Sequence, residues 1–279
     1  MYKITKSEQL SKNEYDFWIE APRIAKKAKP GQFVMLRINE MGERIPLTIA
    51  DTDDSGGKIR LVFQVIGKTT AELGKLTIGD TILDLTGPLG MPTEIKNYGT
   101  VMIVGGGVGI AAVFPIIKGL KKAGNRVITI LGAKTAELVI LQEECRQYSD
   151  ELIVTTDDGT KGMKGLVTDA MEQVIANETI NSSWAIGPSM MMKFCTMTAA
   201  KYELPLYVSL NPIMIDGTGM CGGCRVTIDG SIKFACVDGP EFKGTEVNWD
   251  EFISRMKQYK TEEETCLVDY QKVQVINRG

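Results

Sequence analysis

Thr100-Val-Met-Ile-Val-Gly-Gly-Gly-Val-Gly-Ile-Ala-Ala-Val-Phe-Pro-Ile-Ile117 is the one long apolar run of this chain. A membrane span needs about 20 largely uninterrupted apolar residues. Here Gly105, Gly106, Gly107, Gly109 and Pro115 break the run, so a buried strand, a glycine turn and a helix fit it better. Gly107-Val-Gly-Ile-Ala-Ala112 matches G-x-G-x-x-A between that strand and that helix, a pattern that binds dinucleotides. Small residues let a pyrophosphate approach the backbone, and the helix N-terminus favours its charge. A glycine-rich turn also serves as a plain strand-to-helix connection, so its neighbours matter.

Outward from the turn, residues 99–205 alternate between strands and helices. Strands are expected at Thr100 to Val104, Val127 to Leu131, Leu152 to Thr156 and Trp184 to Ile186. Helices are expected at Ile110 to Ala123, Leu166 to Ile175 and Met190 to Tyr202, giving the rhythm of a Rossmann-like parallel sheet. The second strand ends Leu131-Gly-Ala-Lys134, without the acidic clamp that usually holds a ribose. The choice between NAD(H) and NADP(H) therefore stays open, and Lys134 is either a phosphate or ribose contact or a solvated lysine.

Residues 1–98 are β-rich, with strands at Gln32 to Ile38, Lys58 to Ile66 and Thr81 to Leu85, and suggest a small closed β-barrel. Arg44-Ile-Pro-Leu-Thr48 follows a strand, and Gly67-Lys-Thr-Thr70 precedes a helix-like Ala71 to Leu76. An arginine beside a rigid proline can hold a phosphate, and Thr69 and Thr70 with helix-start amides make a second anion cradle. Taken singly these are a surface charge and helix caps.

Residues 206–279 carry Asp216-Gly-Thr-Gly-Met-Cys221-Gly-Gly-Cys224 and then Cys236. Cys-x4-Cys-x2-Cys with a later fourth Cys is the plant-type [2Fe–2S] spacing, here with Asp216 in the first position. Gly217, Gly219, Gly222 and Gly223 free the backbone to wrap a compact cluster and to aim amides at its sulfurs. A structural zinc ion is the competing reading, because zinc also accepts three thiolates and a carboxylate. Short zinc sites come more often as two Cys-x2-Cys hooks, and one hook is present. Asp216 is either a ligand or a cap on the loop beside another ligand such as Thr218, a carboxylate being harder than a thiolate.

Composition narrows the function. The chain has 279 residues, enough for two or three domains, with 43% hydrophobic and 24% charged residues. A net charge of -3 gives no basic field for nucleic acid, and the N-terminal residues lack a signal-peptide core. Six cysteines point to a reducing cytoplasm, with Cys145, Cys195 and Cys266 unpaired. No histidine is present, which removes imidazole bases and triads but not redox chemistry carried by cofactors. The Glu262-Glu263-Glu264 run reads as solvated surface, and Met190 to Met192 as helix packing.

The order of these motifs resembles the ferredoxin–NADP reductase superfamily along nearly the whole chain. The cluster loop is similar to that of electron-transfer subunits related to the dihydroorotate dehydrogenase one. Leu210 to Val226 resembles most closely the small (alpha) subunit family of NADH-dependent reduced ferredoxin:NADP oxidoreductases, the sulfide dehydrogenase subunit type. The dihydroorotate group is expected to have Cys where Asp216 stands. The resemblance implies an FAD-binding barrel (1–98), an NAD(P)-binding α/β domain (99–205) and a [2Fe–2S] domain (206–279). Arg44, Pro46, Leu47 and Thr48 match the flavin motif, with the arginine at the FAD phosphates and the hydroxyl near the isoalloxazine edge. Gly67, Lys68, Thr69 and Thr70 match a second FAD phosphate segment. Gly105, Gly106, Gly107, Val108 and Gly109 match the pyridine-nucleotide turn, and Asp157, Asp158, Gly159, Gly187 and Pro188 the later loops that flank the nicotinamide cofactor.

The implied activity is that of a flavin enzyme without a side-chain acid or base: NAD(P)H gives hydride to FAD, and the cluster relays single electrons. The implied partner is a larger, glutamate-synthase-like subunit with flavin and [4Fe–4S] clusters, coupling NADH, NADPH and ferredoxin by electron bifurcation in a heterodimer. Two alternatives stand beside it: the same module serving dihydroorotate dehydrogenase or another oxidoreductase, and a redox-sensing nucleotide-binding regulator without turnover.

Overall fold

The computed structural model describes residues 1–53 and 55–276. The first third holds β1 (Tyr2–Ser11), β2 (Glu14–Glu20), a short α1 (Pro22–Ala25), β3 (Phe33–Arg37), β4 (Arg44–Thr52), β5 (Lys58–Gln64), α2 (Lys68–Leu73), β6 (Thr81–Ile82) and β7 (Asp84–Leu89). Its seven strands form one antiparallel sheet in the order β6-β1-β2-β5-β4-β3-β7. The edge strands β6 and β7 are separated only by Leu83, whose N–H bonds Ile38 O at 3.0 Å. That connection bends the sheet round into the expected barrel and leaves little free edge. Tyr15, Phe17 and Ile19 of β2 face inward by strand alternation, and Phe17 meets Phe63 edge to face at 5.1 Å in a core with Ile4, Leu36, Ile59 and Leu61.

Two expectations are corrected here. The segment Arg44 to Thr48 does follow a strand, β3, but is not a loop after it: it is the first half of β4, paired with β3 from Arg44 to Thr48. Pro46 is tolerated there at the ladder position facing Met35. Lys68, Thr69 and Thr70 do not precede the helix; they are the first turn of α2, which starts after Gly67 and ends at Leu73. The Thr70 hydroxyl accepts the Ile66 and Gly67 N–H groups, both at 3.0 Å, and this capping starts the helix one turn early.

The middle segment runs β8 (Thr100–Gly106), α3 (Gly109–Lys122), β9 (Arg126–Ala133), α4 (Gln142–Gln147), β10 (Glu151–Thr156), β11 (Met163–Lys164), α5 (Val167–Asn177), β12 (Ser182–Ile186), α6 (Ser189–Lys201) and β13 (Leu206–Ser209). After it come β14 (Arg225–Ile228), β15 (Ser231–Phe234), β16 (Glu241–Lys243), α7 (Trp249–Met256) and α8 (Lys260–Ile276). The second sheet has the order β11-β10-β9-β8-β12-β13-β16, parallel except for β16. Its central strand β8 carries an unbroken apolar run, as burial by helices on both faces requires: Val101, Met102, Ile103 and Val104 are wholly buried. The chain order reverses between β8 and β12, which makes their carboxyl ends a topological switch point.

The alternation of helix and strand continues past 205, because β13 completes the parallel sheet and β16 adds to its edge. At four and three residues these strands are too short to show a period in the sequence. The 206–279 span therefore shares its first strand with the nucleotide sheet, and its residues 277–279 lie outside the described ones. Among the described residues no helix is long and apolar enough to cross a membrane.

Candidate functional site

The carboxyl edge of the parallel sheet gathers the nucleotide motifs. Gly105 and Gly106 end β8, Gly107 turns with φ +54 and donates to Gly132 O at 2.9 Å, and Gly109 opens α3. A Cβ on Gly109 would strike the Ile186 carbonyl, with Gly187 Cα at 2.8 Å. Nothing lies within 4 Å of a Cβ built on Gly107. The turn thus packs tightly on the end of β12 but is open where a phosphate would approach, which suits a dinucleotide. Pro188 lies 3.5 Å from a Cβ built on Gly106. Asp157 and Asp158 follow β10, and their N–H groups bond Ala133 O and Lys134 O at 3.1 and 3.3 Å. Gly159 (φ +78) completes that loop, where two Asp158 bonds from Thr160, first its hydroxyl and then its N–H, hold the carboxyl below its usual range. Of the three methionines assigned to helix packing, Met192 is buried, Met190 is exposed, and Met191 Sδ reaches Gly106 and Gly187. Met191 therefore touches the turn, a contact that its place in a methionine triplet gave no reason to expect.

In the barrel, Arg44 is exposed while Pro46, Leu47 and Thr48 are half-buried along β4. Arg44 forms no ion pair among the described residues, so its charge is available to an anion. The buried Thr69 donates to Glu43 Oε2 at 3.3 Å, which ties the first turn of α2 to the start of β4. The start of the Arg44 to Thr48 segment and the Gly67 to Thr70 turn are thus brought together. At its other end β4 packs on α3: Ala50 lies among Ile110, Ala111 and Phe114, and Lys118 pairs with Asp51 at 3.0 Å. The strand that carries Arg44 to Thr48 and the helix that follows the glycine turn are thus packed against each other.

The cluster loop is built on the barrel. A Cβ on Gly217 would meet Met35 Cγ at 2.5 Å and Leu89 Cδ1 at 2.8 Å, so only glycine, here at φ +76, lets the loop lie on β3 and β7. Met35 is the ladder partner of Pro46, which leaves one strand between the flavin motif and the loop. The four donors fall into two pairs. Cys224 Sγ is 3.2 Å from Cys236 Sγ, and both are buried. The Asp216 carboxylate accepts Thr218 N at 2.9 Å and Cys221 N at 2.8 Å, and the Cys221 thiol bonds it as well. These bonds, that from Thr218 first, hold the Asp216 carboxyl below its usual range. Burial, then the Cys224 sulfur, pushes the Cys236 thiol up to about 12, so ligation there must displace a proton. Two pairs of donors are the set that a cluster of two irons takes, one pair to each iron. Among the described residues no three such side chains converge on one point. Asp216 caps the loop in this structure, and the exposed Thr218 contributes an N–H to that cap.

Two polar junctions tie the parts together. Glu241 of β16, largely buried, accepts from Thr93 Oγ1 at 2.9 Å and lies beside the otherwise unpartnered Nε1 of Trp184 in β12. Arg60 of β5 bonds Asp16 at 2.9 and 3.0 Å and reaches across to Glu144 of α4. Burial works against the Arg60 charge, but the Glu144 and Asp16 bonds outweigh it and hold the group above its ordinary range. A cavity of about 330 Å³ beside this cluster includes Trp18, Phe114 and Tyr148 in its walls. Each charged residue in its walls is in an ion pair, and the walls include none of the motif residues.

Comparison with known proteins agrees with this geometry. Residues 1–93 match the oxidoreductase FAD-binding domain family, and residues 211–248 match the iron–sulfur cluster binding domain of dihydroorotate dehydrogenase B. A "Dihydroorotate dehydrogenase B (NAD(+)), electron transfer subunit homolog" of Thermotoga maritima is 56% identical over 261 residues, covering 94% of this chain and 92% of the relative. A probable electron transfer subunit of the same enzyme from Methanopyrus kandleri is 33% identical over 80% of this chain and 82% of its own. A chain from the NADH-dependent reduced ferredoxin-NADP oxidoreductase structure, described there for flavin-based electron bifurcation, superposes with a TM-score of 0.92. It is 54% identical, with 96% of this chain and 97% of that one covered. The chain is thus a flavin-dependent oxidoreductase that binds FAD and an iron–sulfur cluster. It belongs to the family of electron-transfer subunits shared by dihydroorotate dehydrogenase B and NADH-dependent reduced ferredoxin:NADP oxidoreductase, within the ferredoxin–NADP reductase superfamily.

Proposed function

We propose that this chain is the small subunit of an electron-bifurcating NADH-dependent ferredoxin:NADP oxidoreductase. It would pass electrons between NAD(H), FAD and a [2Fe–2S] cluster, and on to a larger glutamate-synthase-like subunit with flavin and [4Fe–4S] clusters. The observation that carries the reading is the seat of Gly217 on Met35, across the ladder from Pro46, which joins flavin strand and cluster loop into one path. Asp216 in the first ligand position separates it from a four-cysteine site and favours the transhydrogenase group. A flavin accepts one hydride, which carries two electrons, and yields them singly, which is the chemistry a one-electron cluster requires.

The residues take these roles. Arg44 and the first turn of α2, Gly67 to Thr70, hold the FAD phosphates, while Pro46, Leu47 and Thr48 line the ring system. Gly105 to Gly109 seat the nicotinamide cofactor's pyrophosphate, and Asp157 to Gly159 with Gly187 and Pro188 flank it. Asp216 and Cys221 hold one iron, and Cys224 and Cys236 the other. The functional borders lie near 98 and 205, with β13 shared. The six free cysteines favour a reducing cytoplasm.

Affinity purification under anaerobic conditions tests the assembly. A partner of about 50 kDa, together with NADH-dependent coupling of ferredoxin to NADP, supports the proposal. The names of the relatives favour a second reading, a dihydroorotate dehydrogenase partner of about 30 kDa, and its recovery would replace the first.

A further inference from the structure

Two arginines grip consecutive carbonyls of the cluster loop from outside. Arg225 Nη1 donates to Gly222 O at 3.3 Å, and Arg255 Nη2 donates to Gly223 O at 3.1 Å. In a trans peptide the N–H points opposite to the C=O, so a carbonyl held outward turns the next amide inward. The first peptide shows this directly: with Gly222 O held by Arg225, Gly223 N–H points at Cys221 Sγ, 3.4 Å away. By the same geometry the Arg255 grip on Gly223 O turns the Cys224 N–H to the opposite side of that peptide, away from Arg255.

Arg255 comes from 32 residues downstream and is fixed by a packed helix. Asn248 caps α7 by accepting Glu251 N at 3.2 Å, Trp249 Nε1 donates to Gly244 O at 3.0 Å, and Phe252 is buried. Among the described residues Arg255 forms no ion pair, so its charge is not cancelled by a neighbouring carboxylate. Arg225 is exposed and adjacent to Cys224, whereas Arg255 is half-buried, where its field is less screened.

We propose that Arg255 is a positioning residue for the iron–sulfur cluster, aiming the Cys224 amide inward and raising the cluster's reduction potential by its uncancelled positive charge. Reduction adds negative charge, which an inward N–H dipole and a nearby cation both stabilise. The inference rests on the reading that Asp216, Cys221, Cys224 and Cys236 hold the cluster.

The test uses the full chain, prepared anaerobically, as wild type, Arg255→Met and Arg255→Lys. Iron and acid-labile sulfide are measured first, then the potential by EPR-monitored redox titration. Wild type without iron and sulfide would overturn the ligand reading itself. With loaded protein, the expected result is a lower potential in Arg255→Met and a smaller drop in Arg255→Lys, which keeps the charge. If Arg255→Met loads poorly, full loading in Arg255→Lys supports the grip, and equal depletion of both overturns it. An unchanged potential in loaded Arg255→Met, or equal shifts in the two variants, also overturns it.

Discussion

Gly107→Ala separates the nucleotide site from the fold more cleanly than any other change at the turn. Its φ of +54 costs an alanine about 1–2 kcal/mol, but nothing within 4 Å opposes the new methyl group. The methyl projects into the open side of the turn, where the pyrophosphate must come close to the backbone. One carbon forced into such a contact costs about 1–3 kcal/mol, as in overpacked cores, and each 1.4 kcal/mol is about tenfold in affinity. KM for NADH should therefore rise about 5- to 150-fold, with FAD and iron content unchanged and a melting midpoint lower by a few degrees. Steady-state NADH oxidation with an artificial electron acceptor reads KM and kcat, and absorbance reads the flavin. A wild-type KM in a variant with the expected small loss of stability would show that the dinucleotide binds elsewhere.

Other changes probe the remaining sites. Asp216→Cys should retain a cluster and lower its potential, since a thiolate is the softer and more electron-donating ligand; an unchanged EPR spectrum and potential would count against Asp216 as a ligand. Asp16→Asn should lower stability by about 3–5 kcal/mol, because it leaves the buried Arg60 with only Glu144, and a melting midpoint within a degree of wild type would contradict that. Burial raises the Glu241 pKa, with the Thr93 bond pulling it partly back. The folded state thus binds this proton more tightly than the unfolded one, and the stabilisation is complete below about pH 4.3 and lost as pH rises through the folded value. Melting curves from pH 4.5 to 8 should show wild type losing ground to Glu241→Gln as pH rises, and a pH-independent difference would refute the assignment.

Local pattern made some of this structure readable and long-range contact hid the rest. The run from Thr100 to Ile117 gave strand, turn and helix almost to the residue, since β8 is buried on both faces and the glycines between it and α3 have no other use. The cysteine loop was equally plain in its spacing. Its grouping into two pairs was not, because Cys236 returns to Cys224 only after the β14–β15 hairpin. That hairpin had a signal of its own in Asp229-Gly230, both at positive φ between alternating strands. Arg60 could not be matched with Asp16 and Glu144, nor Arg255 with Gly223, since sequence distance carries no trace of such pairs. The strand character of Arg44 to Thr52 was masked by Pro46, which usually argues against a strand.

Iron and acid-labile sulfide per chain, measured with the visible spectrum on an anaerobic preparation, test the central claim most directly. The account predicts about two irons and two sulfides beside one flavin. A yellow protein with one zinc and no sulfide, or a colourless one, would contradict it.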